Sequence, residues 1–124
     1  MDDEAAIRAV IDDYFQGMYR SDRALLERAF HLDARIAGWD EGKLIDAPIT
    51  KFIDFASAAS APADEGEAFE MEITGLEIAG TAASVAVKDL YKGLRFTDFM
   101  TLLKFDDGWK IVSKTFSHLP RGAA

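Results

Sequence analysis

The spacing of apolar residues changes once along the chain, from a helical period to a strand period. Near the amino terminus, apolar residues recur at intervals of three and four positions: Ile7, Val10, Ile11, Tyr14, Phe15 and Met18. This spacing predicts an amphipathic helix, which Asp2 or Asp3 can cap. Two shorter helices are predicted further on, one with Ser21 as its N-cap and one with Pro48 as its first residue.

After the third predicted helix the period becomes two, which is typical of strands with one buried face. The pattern predicts five strands, over residues 32–39, 67–74, 84–91, 94–105 and 109–118. Because the helices precede most of the strands, the predicted fold class is α+β. The length of 124 residues fits a single domain, 1–124, with a frayed tail from about residue 120.

The last two strands form a predicted hairpin in which Asp107-Gly108 is the turn. Taken with that turn, the alternation places Thr97, Phe99, Thr101, Leu103, Val112, Lys114, Phe116 and His118 on one face. The opposite face then carries Asp98, Met100, Trp109 and Ile111. Both faces are substantially apolar, although a sheet in a small monomer normally has one wet face. We therefore expect helices on one face and a second copy of the chain on the other.

Composition and charge narrow the function classes. The formal net charge of −8 opposes binding to nucleic acid or to an anionic membrane, and no apolar run reaches the ~20 residues of a membrane span. The acidic start of the chain is unlike a signal peptide, so we expect a soluble, cytoplasmic protein. The absence of cysteine excludes disulfides and thiol chemistry, and with two histidines the chain predicts no metal site and no cofactor.

Four segments of the chain resemble the nuclear transport factor 2-like superfamily. They are the helix stripe with Tyr14, Phe30–Ala34, Phe96–Asp98 leading into Leu102–Lys104, and Asp107–Val112. Within the superfamily they are most similar to the bacterial proteins labelled putative lumazine-binding, and the resemblance spans roughly Ala5 to His118. It implies a cone-shaped α+β barrel, with three helices packed on the concave face of a strongly curved, mostly antiparallel sheet. It also implies a pocket inside the cone and a homodimer formed through the outer face of the sheet.

Relatives in this superfamily include ketosteroid isomerase, scytalone dehydratase and polyketide cyclases, so the fold hosts acid–base chemistry on hydrophobic molecules. By motif position, the resemblance points Thr101, Lys114 and His118 into the cone and turns Asp98 outward. The catalytic tyrosine of the isomerase corresponds to Tyr14, while its base aspartate falls near Gly38 and its acidic partner near Thr101. Two of these three groups are absent here, so steroid isomerisation is not expected.

The candidate ligand-binding residues combine a few polar groups with a larger apolar set. The polar candidates are Tyr14, Thr101, Lys114 and His118, of which His118 and Tyr14 are also the catalytic candidates. The apolar candidates are Met18, Trp39, Phe52, Phe55, Phe99 and Phe116. Each candidate also has an interpretation that involves no ligand. Tyr14 can be an ordinary core tyrosine, Lys114 can pair with an internal acid or reach water, and His118 can simply be exposed at the end of its strand. The apolar candidates can be ordinary core residues.

Three functions are compatible with this pattern. The first is a homodimer that holds a small apolar or aromatic molecule in the cone, oriented by the polar candidates. The second is a lyase- or isomerase-type enzyme with His118 as the base and Tyr14 or Lys114 as the electrophilic partner. The third is an interaction module whose only product is the dimer.

Overall fold

Six strands and three helices make up residues 2–122, the part of the chain that this computed structural model describes. In chain order the elements are α1 (Asp3–Arg20), α2 (Arg23–Ala29), β1 (Phe30–Asp40), β2 (Lys43–Pro48), α3 (Ile49–Ala58), β3 (Met71–Ala79), β4 (Ala82–Tyr91), β5 (Leu94–Phe105) and β6 (Gly108–His118). Ala123 and Ala124, the end of the predicted frayed tail, lie outside the described residues. No helix in residues 2–122 is long and apolar enough to cross a membrane.

The helix ends agree with the sequence prediction at α1 and differ at α2 and α3. The Asp2 carboxylate accepts a hydrogen bond from the Ala5 amide at 2.7 Å, which confirms the predicted cap of α1. Ser21, predicted as the N-cap of α2, instead ends α1 in the left-handed region with a φ of 50°. Asp22 caps α2 in its place. Pro48 is the residue before α3 rather than its first residue, because it also ends β2.

The strands form one sheet in the order β2-β1-β6-β5-β4-β3. Strands β1 and β6 run parallel, and the other neighbouring pairs are antiparallel. The sheet curls around the helices, so the predicted α+β fold with helices on the concave face is confirmed. Strand β2 was not predicted, since its six residues are mostly exposed and include two charges and a proline.

The closing hairpin has a different register from the predicted one. Phe105 pairs with Gly108, so the turn is Asp106–Asp107 rather than Asp107-Gly108. One extra residue, Val112, then forms a bulge between the pairs Leu102–Ile111 and Thr101–Ser113. The new turn shifts the pairing by two residues, which preserves the side chains that share a face, whereas the one-residue bulge reverses the face of β5 relative to β6 from Ser113 onward.

The predicted faces are therefore wrong for β5 and for the start of β6. Asp98, Met100, Trp109 and Ile111, predicted to face outward, are buried on the concave face with exposures of 4% or less. Phe99 and Thr101, predicted to face the cone, lie on the outer face, where Phe99 is 58% exposed. Beyond the bulge the prediction is confirmed, since Lys114, Phe116 and His118 face inward.

Candidate functional site

A cavity of about 510 Å³ opens between α3 and the concave face of the sheet. Most of its wall is apolar, with Phe52 and Phe55 from α3 facing Ile36, Phe96 and Phe116 from the sheet. Its volume falls within the range of about 300–1,000 Å³ that is usual for small-molecule sites. The cavity is therefore large enough for a ligand of one to three rings.

The structure brings six of the ten predicted ligand-binding residues to this cavity: Met18, Phe52, Phe55, Lys114, Phe116 and His118. The other four do not line it. Phe99 and Thr101 lie on the outer face for the register reason given above, and the Thr101 hydroxyl bonds to the Ser113 hydroxyl there. Trp39 is 64% exposed on the outer face of β1. Tyr14 is fully buried behind the cavity wall.

Lys114 brings a cation into the apolar part of the cavity. Its side chain is held at the centre of the sheet by β6, and the residue is only 5% exposed. Its Nζ lies 4.1 Å from the centre of the Phe52 ring and 4.8 Å from the centre of the Tyr14 ring. Such cation–π contacts stabilise an ammonium group. Within residues 2–122, no hydrogen-bond acceptor or carboxylate lies within bonding distance of this Nζ, which leaves its N–H groups available to a ligand oxygen.

Two carboxyl groups, Asp89 and Asp98, form what we call the buried acid pair. Asp98 is fully buried, and its Oδ2 accepts a hydrogen bond from the Tyr14 hydroxyl at 2.8 Å. Asp89 is 5% exposed and lines the cavity, and the Oδ1 atoms of Asp89 and Asp98 are both buried without a hydrogen-bond partner. Burial, followed by the charge of Asp98, raises the pKa of Asp89 to about 8, while the charge of Lys114 opposes the shift. Burial and the Asp98 charge likewise raise the pKa of Tyr14 well above its ordinary value.

His118 lies at the edge of the cavity, where both of its ring nitrogens are engaged. Nε2 is 2.8 Å from Asp40 Oδ1, and Nδ1 is 2.7 Å from the Leu119 carbonyl oxygen. The bond to that carbonyl, followed by the bond to Asp40, raises the pKa of His118. Because both neighbours are acceptors, this arrangement favours the doubly protonated ring, which has no lone pair to act as a base.

The segment between α3 and β3 is fixed to one side of the cavity by Lys92. The Lys92 Nζ donates to the Ser60 carbonyl oxygen at 2.9 Å, to the Ser60 hydroxyl at 2.8 Å and to Glu65 Oε1 at 2.7 Å. The Glu67 carboxylate accepts from the amides of Lys92 and Gly93 at 3.0 and 2.8 Å. These contacts attach a 12-residue connection to the turn after β4 and so give this wall of the cavity a defined position.

The sequence interpretation missed Asp89 and gave the wrong place to Asp98. A signal for Asp89 existed, because β4 alternates strictly and Asp89 follows Ala83, Val85 and Val87 at the inward positions. An acid at such a position is costly unless it is paired or neutral. The comparison with ketosteroid isomerase placed the missing acidic partner of Tyr14 near residue 101. In the structure an acid does partner Tyr14, and it is Asp98.

Comparisons with known proteins agree with this architecture. Residues 2–117 match the family model described as "Putative lumazine-binding". A nuclear transport factor 2-like protein of unknown function from Silicibacter pomeroyi is 32% identical with a TM-score of 0.85, over 94% of this chain and 95% of that chain. One from Shewanella baltica, also of unknown function, is 34% identical with a TM-score of 0.84, over 94% of both chains. The resemblance to the nuclear transport factor 2-like superfamily is thereby confirmed.

One similar protein carries the name of an enzyme. The aldolase FrzH from Cladobotryum sp. is 27% identical over 110 residues, which is 87% of this chain and 85% of the aldolase. The match covers most of both chains.

Proposed function

The chain belongs to the "Putative lumazine-binding" family of nuclear transport factor 2-like proteins, and on this premise we propose that its cavity binds a small apolar or aromatic molecule carrying a carbonyl or anionic oxygen. The observation that carries the proposal is Lys114, a nearly buried cation at the wall of an otherwise apolar cavity. Lumazine, a fused heteroaromatic bicycle with carbonyl groups, falls within this ligand class.

The proposed ligand places its oxygen at the Lys114 Nζ. An ammonium group without an oxygen partner loses much of its solvation in an apolar cavity, so an incoming oxygen restores hydrogen bonds that the protein itself does not supply. The rings of Phe52 and Phe116 then contact the apolar part of the ligand. A ligand with one oxygen at the edge of an aromatic system can therefore bond to the Lys114 ammonium group and pack against the apolar wall at the same time.

Isothermal titration calorimetry with 2-naphthoic acid tests this proposal, with 2-methylnaphthalene as the uncharged comparison. We expect the acid to bind and K114M to weaken it by about 10-fold or more, since a hydrogen bond to a charged group contributes about 1.5–3 kcal/mol. K51M is the matched control, because Lys51 also lines the cavity but is exposed. Equal affinity of K114M and the unsubstituted protein for the acid would contradict the proposal.

We also propose that the protein is a homodimer that pairs through the outer face of the sheet. The apolar side chains exposed on that face are Trp39, Leu44, Phe99 and Leu103, with exposures of 64, 53, 58 and 41%. An exposed apolar group of this kind on a sheet favours association. Sedimentation at micromolar concentration is expected to give twice the chain mass of 13.7 kDa. F99D should dissociate the dimer, whereas F55D, which changes an exposed position on α3, should leave it intact. If the unsubstituted protein sediments as a monomer, the proposed interface is wrong.

A second candidate function, lyase- or isomerase-type chemistry in the same cavity, is favoured by the buried acid pair. A carboxyl group with a pKa near neutrality, beside a cation and inside an apolar cavity, is a typical arrangement for general acid–base catalysis. The similarity to a protein named as an aldolase is in keeping with this candidate. Turnover of a β-hydroxy ketone by the purified protein, and its loss in D89N, is the corresponding test.

A further inference from the structure

Three ionisable side chains form a diagonal row across the concave face of the sheet. Asp89, Asp98 and Lys114 come from the adjacent strands β4, β5 and β6. Asp98 pairs with Val87 and Phe116 in the neighbouring strands, which makes Asp89 and Lys114 its diagonal neighbours on the same face. Asp89 and Lys114 line the cavity, whereas Asp98 lies behind them with no exposed surface. One acid, Asp89, and one cation, Lys114, thus reach the cavity, and a second acid, Asp98, lies directly behind them.

The surroundings of the two carboxyl groups indicate which member of the buried acid pair holds a proton. Asp89 Oδ1 and Asp98 Oδ1 are both buried without a hydrogen-bond partner, and two ionised carboxylates buried side by side repel each other, so one protonated member is favoured. Asp98 accepts a hydrogen bond from the Tyr14 hydroxyl at its Oδ2, whereas burial, followed by the charge of Asp98, raises the pKa of Asp89 to about 8. Below about pH 8 Asp89 is therefore the protonated member, and it is also the member of the pair that reaches the cavity.

We propose that Asp89 transfers protons to and from carbon, in an active site for enolisable carbonyl compounds whose oxygen is held by Lys114. This inference rests on the ligand placement proposed above. The Asp89 carboxylate takes a proton from the carbon next to the carbonyl group, and the C–H electron pair forms the carbon–carbon double bond. The carbonyl π pair moves to oxygen, where Lys114 Nζ stabilises the enolate. Return of the proton from Asp89 restores the ketone, so no oxidant, reductant or cofactor is consumed.

The same groups suffice for cleavage of a β-hydroxy ketone. The Asp89 carboxylate then takes the hydroxyl proton, the hydroxyl carbon becomes a carbonyl group, and the adjacent carbon–carbon bond breaks. The electron pair of that bond forms the same enolate at Lys114, and Asp89 returns the proton to the enolate carbon. Proton transfer at carbon and aldol cleavage thus share one base and one oxygen site.

Other residues are less suited to the role of base. His118 faces an acceptor at each ring nitrogen, and Tyr14 does not line the cavity, since its hydroxyl donates a hydrogen bond to Asp98 behind the cavity wall. The titratable groups that face Asp89 are Asp98 from β5, Lys114 from β6 and Tyr14 from α1. Asp98 and Tyr14 act through Asp89 and are positioning residues, because their contacts set where its proton lies.

Exchange of the α-protons of 2-tetralone in D2O, followed by proton NMR, tests the inference. This aromatic cyclic ketone is smaller than the cavity, and its exchange requires the proposed proton transfer, replacement of the Asp89 proton by a deuteron from D2O, and return of that deuteron to carbon. We expect the unsubstituted protein to accelerate exchange over buffer, and D89N to lose about 100-fold or more of that acceleration. D106N, which changes an exposed acid in the β5–β6 turn, should exchange at the unsubstituted rate. K114M should also be slow, because the enolate oxygen loses its cation.

The pH profile of the unsubstituted protein gives a second readout that does not depend on any variant folding. Because the ionised form of Asp89 is the base, exchange above the buffer rate should rise with pH and level off above about 8. A profile without an inflection between pH 7 and 9, or a D89N rate equal to the unsubstituted rate, would overturn the inference. Calorimetry with 2-naphthoic acid on the same samples separates the two proposals. Binding without exchange overturns proton transfer alone, and absence of both overturns the binding function as well.

Discussion

The proton on Asp89 predicts how the stability of the fold depends on pH. Between its unfolded pKa, near the ordinary value of 3.8, and its folded pKa of about 8, Asp89 binds one more proton in the folded state than in the unfolded state. Raising the pH through this window therefore favours the unfolded state, by about 1.4 kcal/mol for each pH unit. The substitution D89N places a neutral side chain of nearly equal size at this position and should remove the dependence.

The magnitude follows from the width of the window. From pH 5 to pH 7 the unsubstituted protein should lose about 3 kcal/mol of unfolding free energy relative to D89N, because both limits lie between the two pKa values. For a domain of this size that difference corresponds to roughly 10 °C in melting temperature. Contributions from ionisable groups that do not interact with Asp89 are common to both proteins and cancel in the comparison.

Urea denaturation at pH 5, 6 and 7, followed by circular dichroism, measures this difference. D106N is the matched control, since it removes an exposed acid from the β5–β6 turn and should keep the pH dependence of the unsubstituted protein. Parallel stability curves for D89N and the unsubstituted protein between pH 5 and 7 would refute the assignment of a raised pKa to Asp89. The assay requires no ligand, so it examines the buried acid pair independently of any function.

Three further outcomes are expected. G38A should lose about 2–3 kcal/mol of unfolding free energy in urea, because a Cβ at Gly38 would lie 2.5 Å from a backbone oxygen of β6. In an NMR titration, His118 should show a pKa above its ordinary value, and D40N should lower that pKa. The stabilisation from its bond to Asp40 is therefore present at low pH and is lost as the pH rises through the folded pKa. Y14F should cost about 1–3 kcal/mol by leaving Asp98 without its donor, and denaturation at pH 7 that matches the unsubstituted protein would contradict this.

The elements of the fold were largely predictable, because local periodicity determines them. Strand β5 was predicted over 94–105, which is where it lies. Strand β2 escaped prediction because it lies at the edge of the sheet and has little apolar alternation. Its position depends on pairing with β1, which no local pattern reports.

The candidate site was predicted less well, and one residue accounts for much of the difference. The bulge at Val112 interrupts the alternation of β6, and its only trace in the sequence is the consecutive apolar pair Ile111-Val112. Because the sequence does not predict this bulge, Asp98 was assigned to the wrong face, and its hydrogen bond to Tyr14 could not be predicted. The orientation of Lys114 was predicted correctly, but the rings that surround it come from two helices distant in sequence.

The central place of β6 in the sheet has a consequence for synthesis on the ribosome. This strand is the sixth in chain order, yet it lies between β1 and β5 and joins β2-β1 to β5-β4-β3. Until His118 has left the exit tunnel, the emerging chain presents two separate sheet fragments with open edges and an uncovered apolar surface. The polypeptide therefore passes through an interval in which chaperones have a defined target, and slow translation of the β6 codons would prolong it.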